Sequence, residues 1–97
     1  MQPDKLVADI IKEQSLIIGE SLARSRAEIT GSVTFKSNRI DELSLTSDSP
    51  SSTIEKLIKS YEEVFGQASV EVCISVIRKY PKSEIQSFLP EKIRSAI

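Results

Sequence analysis

The sequence predicts a helix-rich α+β domain: a long N-terminal helix, a short β-hairpin, and then two or three helices. Three observations carry this expectation. Apolar residues recur at helical spacing from Leu6 to Ile29. Val33 and Phe35 alternate with polar neighbours ahead of the turn signal Ser37-Asn38. Ile54, Leu57, Ile58, Tyr61, Val64 and Phe65 then resume a helical period. The chain has 97 residues, enough for one small globular domain over residues 1–97. Its expected parts are a long helix over 1–31, a hairpin over 32–46, a loop over 47–52 and a helical region over 53–97.

The first helix is expected over residues 4–30, with Asp4 as its N-cap after Pro3. At about 100° per residue, Leu6, Val7, Ile10, Ile11, Ile17, Ile18, Leu22 and Ile29 fall within an arc of roughly 160°. Leu16 falls on the opposite side. Gly19 interrupts the pattern and permits close packing or a slight bend. Gly31 follows the last periodic residue, where a glycine suits the end of a helix.

The hairpin is expected over residues 32–46, with Ile40, Leu43 and Leu45 in its second arm. Two strands alone are marginal in water, so the hairpin must lie on the helices or pair with another copy. A polar loop over 47–52 follows. Ser52-Thr53-Ile54-Glu55 fits a capping box, and Glu55 and Lys59 form a favourable pair one turn apart. Gly66 ends this helix.

Residues 67–80 admit two readings. Val70, Cys73, Ile74 and Ile77 suit one helical face, whereas Val70, Val72, Ile74 and Val76 alternate as a strand would. Helix is favoured, because the stretch is long for a strand and Arg78-Lys79 suit a helix C-terminus before Pro81. The alternative is a third strand over 69–78. A helix here would pack on its predecessor as an antiparallel hairpin. The tail reads as helical, with a second capping box at Ser83-Glu84-Ile85-Gln86, a break at Pro90, and Ile93 and Ile97 continuing the apolar positions.

Composition excludes several kinds of chemistry. The chain has no His, one Cys, and thirteen Lys+Arg against fourteen Asp+Glu. Without His there is no Ser-His-Asp or Cys-His arrangement. One Cys without His cannot build a structural zinc site or an internal disulfide within the chain. A near-neutral charge disfavours binding nucleic acid through its phosphates. The widely separated Gly19, Gly31 and Gly66 form no phosphate-cradling loop. Asp41-Glu42 and Glu62-Glu63 match no metal loop, and adjacent acids point in different directions. The expectation is therefore no cofactor, no metal site and no enzyme.

No signal peptide pattern opens the sequence, and no apolar run approaches the ~20 residues that span a bilayer. A lone Cys suits a reducing compartment, so the chain is expected to be cytoplasmic. Cys73, set between Val72 and Ile74, reads as an inert core thiol. No motif in the chain carries a family resemblance.

The function expected is a small non-catalytic protein-interaction or regulatory module that self-associates. The first helix is long and its apolar arc wide, so part of that arc is left for another chain. Val7, Ile11, Ile18 and Leu22 are the candidate contact residues, and the partners are a second copy and an unidentified protein. Ser49, followed by Pro50 in a Ser-rich stretch, is a candidate phosphosite. Two alternatives stand behind this. One is a nucleic-acid-binding regulator with residues 58–80 as a helix-turn-helix, although Glu71, Val72, Ile74 and Val76 occupy the reading positions. The other is a small enzyme working without His. The C-terminal third is the basic part, with Arg78, Lys79, Lys82, Lys92 and Arg94 against Glu71, Glu84 and Glu91.

Overall fold

Gly19 splits the first helical segment in two. In the computed structural model, which describes residues 2–46 and 49–96, α1 spans Pro3–Ile18 and α2 spans Glu20–Ile29. The single long helix expected over 4–30 is therefore corrected. Gly19 has φ 89° and ψ 151°, a region open to glycine and closed to residues with a Cβ. An unbroken helix over those residues would reach about 40 Å at 1.5 Å per residue, beyond the longest molecular extent of 31 Å. Breaking at Gly19 folds α2 back onto the rest of the chain, where Ala23 and Ala27 are buried. The N-terminus is corrected too. Gln2 is the cap residue, Pro3 opens the first turn, and Asp4 stands inside it, where a negative charge suits the dipole.

The hairpin pairs β1 (Val33–Phe35) with β2 (Leu43–Leu45) in antiparallel register, Val33 opposite Leu45 and Phe35 opposite Leu43. Its connection is wider than a tight turn at Ser37-Asn38 and runs through residues 36–42. Ile40 lies in that connection, not in the second strand, and is buried. Arg24 on α2 holds the loop. Its guanidinium donates to the carbonyls of Ser37 and Asn38 at 2.8 and 2.9 Å and stands 4.3 Å from the centre of the Phe35 ring. The two strands thus gain the support that a lone hairpin lacks.

Helix α3 spans Pro50–Phe65 and α4 spans Gln67–Ile77. The expected capping box at Ser52 is replaced by a cap three residues earlier. Ser49 Oγ accepts from the Ser52 amide at 3.2 Å, and Pro50 occupies the first helical position, where a missing N–H costs nothing. The expected loop over 47–52 thus ends at Ser49, and its residues 47 and 48 lie outside the described residues. Gly66 joins α3 to α4 with φ 65° and ψ −149°. Residues 67–77 are helical, so the alternative of a third strand over 69–78 does not hold. Tertiary packing outweighs the β-branched composition, since Cys73, Val76 and Ile77 are all buried.

The tail forms α5 (Lys82–Ile85), a 3-10 turn (Gln86–Phe88) and α6 (Glu91–Arg94). Pro81 and Pro90 precede the two short helices, and neither has a side-chain cap, so the second capping box at Ser83 is corrected as well. Ile85, Leu89 and Ile93 anchor this segment in the same core as α1, α3 and α4. Ile97 lies outside the described residues.

Candidate interaction surface

The candidate contact residues divide sharply. Val7 and Ile11 are fully buried within the chain itself, among Leu6, Ile10, Leu57 and Ile77 of one core. They are corrected as contact residues, because the fold already covers them. Ile18 is half-buried at the end of α1, and Leu22 is 39% exposed on the first turns of α2. These two keep solvent-accessible surface.

Hydrogen bonds locate them. Gln14 Nε2 on α1 donates to the Ser69 carbonyl on α4 at 2.9 Å. Tyr61 Oη on α3 donates to the Ala23 carbonyl on α2 at 2.7 Å. Arg26 donates to the Ser60 carbonyl at 3.0 Å and pairs with Glu63 at 3.6 Å, while Ser60 Oγ donates back to the Arg26 carbonyl. From 14 to 26 on one side and from 69 to 60 on the other, the partners run in opposite directions. The Gly19 joint and the Gly66 joint therefore fall at the same end of the molecule. Ile18 lies one turn beyond Gln14, Leu22 one turn before Arg26, and Phe65 one turn beyond Tyr61.

Three apolar side chains are exposed at this end: Ile17 at 38%, Leu22 at 39% and Phe65 at 50%. Half-buried Ile18 and Val64 stand with them. Sequence reading flagged Ile18 and Leu22 but missed Phe65, which closes the apolar face of α3 just where the helix ends. Leu16 is the most exposed large apolar residue, at 79%. It lies on the other side of α1, as its phase predicts, and borders a shallow groove of about 480 Å³ with Lys12, Glu20, Arg39 and Asp41.

The acids near this end stand among cations from neighbouring segments: Glu20 shares its groove with Lys12 and Arg39, and Glu62 lines a groove with Lys59 and Lys92. Residues 16–23 and 62–71, which build the end, carry Glu20, Glu62, Glu63 and Glu71 and no Lys or Arg. All four carboxylates are on exposed residues. Arg26 reaches Glu63 from the next turn of α2. Elsewhere Glu13 is met by Lys79 at 3.6 Å, and Arg39 pairs with Asp41 at 3.2 Å and Glu42 at 3.6 Å. The hydrogen bond from Arg39 holds the Asp41 carboxyl below the usual carboxylate range.

The interior holds polar groups that sequence reading also missed. Gln14 is fully buried, with Nε2 shared between the Ser69 carbonyl and Cys73 Sγ, the latter at 3.3 Å. Gln14 Oε1 and Ser69 Oγ have no hydrogen-bond partner among the described residues. The signal was present: Gln14 follows Ile10 and Ile11 by one turn, within the apolar arc. Burial pushes the Cys73 thiol up to about 12, against a smaller lowering by the Gln14 amide. Burial likewise raises the Tyr61 phenol well above its ordinary value, with Cys73 adding to the effect. Neither group lines a described groove, and the described residues bring together no group of three His, Cys, Asp or Glu fit to hold a metal ion.

Ser49 stands exposed at the start of α3, its oxygen engaged as the cap acceptor. A second groove of about 360 Å³ separates α3 from α6, between Ile58, Lys59 and Glu62 on one wall and Pro90, Lys92 and Ile93 on the other. Among the described residues no helix is long and apolar enough to cross a membrane. Compared with family models, curated proteins and solved structures, the chain shows no match to any of them.

Proposed function

We propose that this chain is a small non-catalytic protein-interaction module, acting in the cytoplasm, whose contact surface is the apolar end between the Gly19 and Gly66 joints. The observation that supports this reading most is the exposure of Ile17, Leu22 and Phe65 at one end of the chain, while Leu16 and Ile29 stand exposed elsewhere on its surface. Apolar side chains gathered in one place are a liability unless something covers them.

The two alternatives gain less from the geometry. A nucleic-acid-binding surface needs a face of free cations, whereas Arg26, Arg39 and Lys79 are each paired with a carboxylate. An enzyme needs a perturbed titratable group in a pocket, whereas Cys73 and Tyr61 are buried side chains of the core. A phosphate on Ser49 would meet the open amides and favourable dipole of the first turn of α3, so modification there would strengthen the cap.

Site-specific photocrosslinking tests the reading. A benzophenone side chain at position 65 should give adducts in living cells, and the same group at exposed Thr34 should not. No adduct at 65, or equal adducts at both positions, would remove it. Self-association is the second reading, favoured by Ile18 and Leu22 retaining surface. Sedimentation decides that point: a mass at the 10.8 kDa monomer at every concentration would eliminate it.

A further inference from the structure

We draw no further inference here: the strongest candidate, the apolar surface patch of Ile17, Leu22 and Phe65 at the end that holds the Gly19 and Gly66 joints, carries nothing beyond the reading above, because Glu20, Glu62 and Glu63 beside it stand among cations and nothing in the structure shows what covers it.

Discussion

The side-chain amide of Gln14 donates to the main-chain carbonyl of Ser69 across 2.9 Å, and that bond fixes how α1 lies on α4. The same nitrogen touches Cys73 Sγ one turn along. A polar side chain in an apolar interface specifies one alignment of the two helices at a cost in stability. Here the cost is visible as two buried oxygens, Gln14 Oε1 and Ser69 Oγ, with no partner among the described residues.

Substitutions at position 14 should separate alignment from stability. Gln14→Leu removes one buried unpaired oxygen at similar volume, and stability should change little or rise by about 1 kcal/mol. Gln14→Glu buries an unpaired carboxylate and should lose about 3 kcal/mol or more at neutral pH, with partial recovery as acid neutralises it. Urea denaturation of both variants reads this directly. A Leu variant destabilised as strongly as the Glu variant would show that the amide's bonds outweigh its orphaned oxygen.

The chain should lose stability on the alkaline side. Cys73 has its folded value raised from 9.0 to about 12 by burial. Between those values the folded chain retains a proton that the unfolded chain has released, so stability falls as pH rises. Its full contribution is present below pH 9.0. Tyr61, also raised by burial, adds to the fall at higher pH. Each group contributes at most about 1.4 kcal/mol per pH unit. Urea midpoints for wild type and Cys73→Ala, taken from about pH 8 to about pH 11, should diverge in slope above pH 9.0. Parallel curves would show that the thiol is not desolvated, as would fast labelling of native protein by a disulfide reagent.

Ser49 should behave as a cap first. Ser49→Ala leaves the Ser52 amide without its side-chain acceptor and should cost about 1 kcal/mol, whereas Ser49→Asp should cost little. Ser52→Ala changes a hydroxyl outside that hydrogen bond, which uses the Ser52 backbone amide, and should be milder. Thermal denaturation ranks the three. A larger loss at position 52 than at 49 would move the helix start back to Ser52.

The ordering of the elements was legible because apolar period is a local property. The phase of Leu6, Val7, Ile10 and Ile11 on α1 and of Ile54, Leu57, Ile58 and Tyr61 on α3 states which face is buried, and the structure buries those faces. Continuity through Gly19 was not legible, because it depends on the length of the whole molecule and not on the residues beside the glycine. That missing fact misplaced Val7 and Ile11. A long straight helix leaves apolar surface uncovered along its length, whereas the folded pair covers its first half and leaves exposed Ile17 and Leu22 near the bend and Ile29, 63% exposed, at the far end of α2. Leu16 was correctly placed on the opposite side of α1. Phe65 was not singled out, since a residue closing an apolar face reads as core until its neighbours' positions are known. Ser49 displaced Ser52 because two hydroxyl residues stood within reach of the same helix start, and the choice fell to Pro50.

Both helix joints rest on backbone that only glycine adopts freely, and this yields the most direct test of the fold. Gly19 has φ 89° and ψ 151°, and Gly66 has φ 65° and ψ −149°. A Cβ added at either position would meet nothing within 4 Å, so side-chain space is not the obstacle. The cost of an L-residue is conformational alone, about 1–3 kcal/mol at each joint. Gly19→Ala and Gly66→Ala should each lower the urea midpoint accordingly. D-alanine, introduced by chemical ligation, favours positive φ and should restore or exceed wild-type stability by limiting the unfolded chain. At Gly19 the substitution also reports on function, because the bend brings Ile18 and Leu22 to the same end as Phe65. If Gly19→Ala keeps full stability and gains helical signal, α1 and α2 run on as one helix in solution. The apolar end would then be dispersed along it. If only the D-residue is tolerated, the bend is part of the fold and the proposed contact surface depends on it.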